Sequence, residues 1–470
     1  MGRGVPAVGQ VNVAVRPGDA AARGQGGVTA EFELEPEEVT ARLTEGAAAA
    51  DLLAVLQLCG AGSLRCSEKT RRPGGTTVGA VARVLADGDF YPDEPIAAVA
   101  WPLLVQAGGL AELAGGRLQL TSRGRAALTA PPAGTIRHLW RSWVSRGLID
   151  ELSRVEHIKG QRSANVLTSA KTRRQAVAAA LATCPIGTWV EVDDLFATMR
   201  HGKLSPTVAR SERALWKLYI ADAQYGSLGY AGFADWPILE GRYTLAVLFE
   251  YAGTLGLLDL TYTDPAGARD DFRDNWGTDD LDYLSRYDGL RAIRLNALGA
   301  YAPGLHPAYE PPARDAAARD SLKVLPNLDI VAVGTVSAAD RLALDAYAAP
   351  TGDRVWTLRA DTLLAAIGSG RTGDELARFL TERTTHELPT AVTTLIADVT
   401  ARASRLRDLG VVRLVHCTDP ALATLLTRDR HLRTLCQPVG EHHLAVPLAQ
   451  ETAFRDALHT LGYAYPATSP

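Results

Sequence analysis

Two stretches of the chain share one plan, and that plan limits what the chain can fold into more than any other feature. "GGLAEL" (108–113) leads to "RLQLTSRGRAAL" (117–128), and "LGLLDL" (255–260) leads to "AIRLNALGAYA" (292–302). Each reads as turn, strand, loop, strand, small polar residue, glycine and helix, which is an internal repeat. In the first copy Gly115-Gly116 marks a tight hairpin turn between alternating strands.

What precedes each copy is helical. Apolar residues recur at helical spacing in 51–62, 77–87 and 93–109, with Pro102 inside the third segment. Ahead of the second copy stand helical patterns at 172–184 and 193–199 around a strand-like "GTWVEV" (187–192), then a third at 241–256. Three helices closed by a two-stranded hairpin make a winged helix, so two such modules are expected, at 31–150 and 151–304.

A chain of 470 residues calls for roughly three domains at about 150 residues each. The linker "APGLHPAYEPPARDAAARD" (302–320) separates the repeats from a third domain, 321–470, and the glycine-rich residues 1–30 read as a disordered tail. The expected fold class is α+β, mainly helical. Apolar residues make up 47% and charged residues 22%, a soluble composition without an apolar run long enough for a membrane span. Residues 1–27 lack the charged-then-apolar order of a signal peptide. Five scattered cysteines, an odd number, suit a reducing compartment, so a cytoplasmic protein is expected.

Gly368, Gly370 and Gly373 spell G-x-G-x-x-G, the spacing that cradles a dinucleotide. That loop needs a strand before it. Here "WTLRADTLLAAI" (356–367) is helical at its end, and Thr372 with Glu375 has the spacing of a capping box for another helix. A turn between helices is expected, with no nucleotide. No Walker loop occurs, so no motor and no cofactor are expected. His416, Cys417, His431, Cys436, His442 and His443 lie close in sequence but lack the paired spacing of zinc ligands, and no metal is expected. No nucleophile elbow is present. The carboxylate-rich "DDFRDNWGTDDLDYL" (270–284) reads as a solvated insert.

The net charge of −4 excludes a global basic field, so any DNA contact must come from local patches. Lysine and arginine concentrate in "RCSEKTRR" (65–72), "HIKGQRSANVLTSAKTRR" (157–174) and "KLSPTVARSERALWK" (203–217). Lys171, Arg173, Arg174, Lys203, Arg210, Arg213 and Lys217 are the candidate phosphate contacts. Arg210, Arg213 and Lys217 recur as one face of an expected helix, beside Trp216 and Tyr219. The third helix of the first module carries no lysine or arginine, which suits protein contact better than groove reading.

"LKVLPNLDIVAVG", "VWTLRADTLLAAIGSGRTGDELARFLTERTTHELPTAVTTLIADVTAR" and "VRLVHCTDPALATLL" follow the order strand pair, helical hairpin, a helix opened by "LP", and a strand-helix unit. Residues 321–463 thereby resemble the helicase-associated domain found N-terminal to the motor of xeroderma pigmentosum group B type helicases. The resemblance implies a DNA-engaging accessory module beside a superfamily 2 helicase or ATPase, in repair or defence, and supplies no catalytic residue. A non-enzymatic DNA-binding protein is the expectation; the alternatives are an interaction scaffold and a winged-helix transcriptional regulator.

Overall fold

The computed structural model describes residues 38–311, 321–406 and 410–464. The expected tail and residues 312–320 of the proline-alanine linker lie outside the described residues. The chain is 43% helical and 16% strand, a mixed α and β protein led by helix, consistent with α+β. It divides into two compact units after Ile396, within the helix Thr390–Ala403. No helix among the described residues is long and apolar enough to cross a membrane.

The first unit opens with the helices Glu45–Gly60, Gly75–Ala82 and Ala97–Ala107, then the hairpin Ala111–Ala114 and Arg117–Leu120. Gly115 and Gly116 turn that hairpin with φ of 55° and 73°, two successive left-handed residues that glycine adopts at least cost. The second copy forms the hairpin Leu258–Tyr262 and Leu290–Leu295. It is flanked on both sides, by Thr40–Arg42 and by Trp189–Glu191, into a four-stranded antiparallel sheet.

The repeat is visible down to single atoms. Thr121 and Asn296 cap the helices that follow the two hairpins, accepting from the N–H of Gly124 and of Gly299 at 3.1 and 2.9 Å. At both glycines a Cβ would lie about on top of a backbone carbonyl oxygen, 1.9 Å from that of Leu110 and 2.0 Å from that of Leu257. The small polar residue and the glycine of the repeated sequence are therefore a cap and a close backbone approach.

The residues expected to form two modules contribute to one continuous apolar cluster that runs from Ala48 to Ala302. Its axis is the helical run Pro237–Gly253, α-helical at Arg242–Ala246 and π-wound on either side, with Ile238 to Gly253 all buried. Aromatic rings from the N-terminal residues meet this run: Phe90, in the bend before Ala97–Ala107, lies 4.9 Å from Phe249, and Trp143, in the helix Pro132–Arg146, stacks on Tyr251 at 4.1 Å. Two of the charges buried along the run are paired. Arg242 pairs with Asp288 at 3.0 Å, and Glu250 takes Arg154 at 2.8 Å and the Tyr287 hydroxyl.

From Leu322 on, the first unit forms an antiparallel sheet in the order Ala348–Gly352, Val355–Leu358, Asp329–Ala332, Leu322–Val324, with the helices Ala338–Tyr347, Ala360–Gly368 and Gly373–Thr381. The helix Ala338–Tyr347 packs against Glu45–Gly60. The glycine motif joins helix to helix, as its flanks require. Gly370 has φ +91°, and the turn delivers Arg371 to a buried hydrogen bond with Gln57 at 2.6 Å. Thr372 accepts from the N–H of Glu375 at 3.1 Å, closing the cap.

The second unit holds an antiparallel sheet with Val412–His416 and Gln437–Val439 on either side of His443–Pro447, and the helices Pro420–Arg428 and Glu451–Thr460. Its small core gathers Leu432, Leu444, Val446 and Phe454 with the buried Cys417 and Cys436.

Candidate nucleic-acid interface

The basic segments 157–174 and 203–217 are far apart in sequence but run side by side. Ile158-Lys159 pairs with Tyr219-Ile220 in a short antiparallel ladder. Further along, the N–H of Thr168 donates to Val208 and that of Arg210 to Val166, at 3.0 and 2.9 Å. Gly160 has φ +80° and passes so close to Lys217 that a Cβ would sit 1.8 Å from its carbonyl oxygen. This contact holds the turn after Lys159 against the backbone of Lys217. Arg210 reaches back to the Leu167 carbonyl at 3.4 Å, one turn before Lys171.

The expected helix over 203–217 is absent, and only Glu212–Leu215 is helical, capped by Ser211. Pro206 cannot donate in a helix, and the N–H groups that a helix would use are engaged elsewhere. That of Val208 donates to Glu240 Oε1 at 3.0 Å, and that of Arg210 to Val166. Arg210, Arg213 and Lys217 are thus spread along an extended ribbon with one helical turn, not along a helix face. All three are exposed, as are Lys203 and Lys171. None of them, nor Lys159 or Arg162, appears in an ion pair among the described residues, whereas the buried Arg154, Arg173, Arg174 and Arg242 all do.

Arg173 and Arg174 correct the expectation. They are buried, at 1% and 2% exposure. Arg173 grips Asp150 with both terminal nitrogens, and Arg174 pairs with Glu151, whose second oxygen takes the Tyr243 hydroxyl at 3.0 Å. Phosphates cannot reach either guanidinium while this network stands. The third helix of the first copy, Ala97–Ala107, is almost wholly buried and so presents no face to a groove.

Glu240 holds the ribbon from below. Burial pushes its carboxyl up to about 7, against the hydrogen bond from Val208 and the attraction of Arg173, both of which lower it. Sequence reasoning missed this residue because its partner lies 32 positions away. It also missed the exposed rings of Tyr225 and Tyr230, which lie in loops without periodicity; Trp216 meets Tyr230 edge-on at 4.9 Å.

The histidines and cysteines of the second unit are placed by packing. His416 lies 5.0 Å from the ring of His443, across the pairing of their strands, while Cys417 and Cys436 face the core. Among the described residues no three such side chains are grouped to hold a metal.

The comparisons bear on the C-terminal part. Residues 322–438 match the family of the helicase conserved C-terminal domain. The match begins at the strand Leu322–Val324 and ends in the strand Gln437–Val439, so this part of the chain is helicase-associated in sequence. No curated protein matches the chain.

Proposed function

We propose that this chain is a non-enzymatic DNA-binding accessory protein that works with a superfamily 2 helicase or ATPase in DNA repair or defence. Its two hairpin-bearing repeats act as winged-helix-like modules, and its C-terminal part as the helicase-associated domain of the xeroderma pigmentosum group B type. The observation that carries the reading is the ribbon of exposed cations that enter no ion pair among the described residues. Lys159, Arg162, Lys171, Lys203, Arg210, Arg213 and Lys217 lie on two hydrogen-bonded segments and adjoining turns of a chain whose net charge is −4. Such a patch supplies phosphate contacts that fix position without reading sequence. The helicase family match at 322–438 supports the same context.

An interaction scaffold is the second reading, favoured by the burial of Ala97–Ala107, the helix that would otherwise enter a groove. Fluorescence anisotropy with labelled duplex and single-stranded oligonucleotides separates the two. Binding that weakens as salt rises supports the DNA reading; wild-type protein that binds neither strand form at low salt transfers the function to the scaffold.

A further inference from the structure

Next to the basic ribbon, and opposite to it in charge, is a hollow of about 750 Å³ lined by Tyr225, Tyr230, Trp276, Asp235, Asp271 and Asp274. Large rings are seldom left in water in such a group. Trp276 is 63% exposed, Tyr230 65% and Tyr225 54%. The rings come in two pairs, Tyr225 with Trp276 at 5.5 Å and Tyr230 with Trp216 at 4.9 Å. The folded loops hold them there. Gly229 lies under Trp216, where a Cβ would come 2.3 Å from the indole, and Asp222 accepts from the N–H groups of Gln224 and Tyr225, both at 2.8 Å.

Two of the three carboxylates of the hollow enter no ion pair among the described residues. Arg242 takes Asp271, Arg273 takes Asp270 and Arg269 takes Asp193, which leaves Asp235 and Asp274 without an arginine among the described residues. Burial, together with the charges of Asp271 and Asp274, raises the Asp235 carboxyl above its ordinary range, although the nearby Arg242 lowers it. A nucleic-acid strand would bring phosphates against three carboxylates, so stacked bases are a poor occupant. A cation satisfies both halves of the lining, because ring faces and carboxylates attract the same charge. A guanidinium suits it better than an ammonium. It is planar, stacks on rings and gives two parallel hydrogen bonds to a carboxylate.

We propose that this hollow binds an arginine side chain presented by a partner protein, with the guanidinium between the rings and against Asp235 and Asp274. The surface is separate from the basic ribbon, so the two can be occupied together and tested apart.

The probe is a fluorescein-labelled nonapeptide of alternating arginine and glycine, titrated with the full-length chain and followed by anisotropy. Saturable binding is expected, weaker when lysine replaces arginine. Trp276→Ala and Asp274→Asn should each weaken it by about tenfold. The exposure of Trp276 and Asp274 makes loss of folding an unsuitable explanation, and circular dichroism of each variant checks this. The proposal is overturned if the peptide does not saturate, or if both hollow variants bind it as wild type does. It is also overturned if a labelled thymidine oligonucleotide, and not the peptide, loses its binding in Trp276→Ala, which would assign the rings to single-stranded DNA.

Discussion

At the scale of single residues, two arginines and a lysine three or fewer positions apart have opposite fates. Lys171 is exposed, while Arg173 and Arg174 are buried on Asp150 and Glu151, 23 positions upstream. Local sequence could not separate them, because the partners are fixed only by tertiary packing. Removing one member of a buried pair strands the other, so Arg174→Ala should lower unfolding stability by about 3–5 kcal/mol. Lys217→Ala, at an exposed position, should change it by less than about 1 kcal/mol. Urea denaturation of both variants measures the contrast. Glu240 makes a second, independent prediction. Its folded carboxyl is raised to about 7, above the ordinary 4.5, so folding takes up a proton between those values. Stability from this group is full below about pH 4.5 and is lost as pH rises through 7. Glu240→Gln keeps an oxygen for Val208 and removes the titration. Relative to it, wild-type protein should lose on the order of 3 kcal/mol between pH 4.5 and 8. Parallel stability profiles for the two proteins would contradict the assigned shift.

At the scale of elements, the hairpins, their capped helices and the glycine turn were legible because their signals are local. Gly115-Gly116, Thr121 to Gly124 and Thr372 to Glu375 each fix a turn or cap within four residues. The segment 203–217 was not legible, since its charge spacing suits a helix while Pro206 and the distant acceptors Glu240 and Val166 hold it extended. The repeat offers a direct test. Gly124→Ala and Gly299→Ala force a methyl onto the carbonyl oxygens of Leu110 and Leu257, and each should cost about 2 kcal/mol or more by moving backbone. Gly134→Ala, in the helix Pro132–Arg146 with nothing within 4 Å of the added carbon, should be neutral or stabilising by up to about 1 kcal/mol. Thermal melts that rank the three variants otherwise would break the structural equivalence of Gly124 and Gly299.

At the scale of the whole molecule, the sequence pattern suggests separate modules at 31–150 and 151–304, and the structure places one apolar cluster across both. The contacts that merge them are non-local: Thr40–Arg42 pairs with a strand more than 200 residues later, and Phe90 and Trp143 pack on Phe249 and Tyr251. Periodicity within a window carries no trace of such pairings. The basic ribbon is assembled in the same way, by two segments that meet only in the folded chain, which is why its residues were found as a list and not as a surface. The central claim is that this ribbon neutralises DNA phosphates. Its most direct test is the dependence of duplex affinity on salt for wild-type protein and for the variant carrying Lys203→Ala, Arg210→Ala, Arg213→Ala and Lys217→Ala. Each phosphate neutralised contributes about 0.9 to the log–log slope, so the variant should bind all sequences more weakly with a slope shallower by about two to four units. A variant whose slope and affinity match those of the wild type would contradict the account.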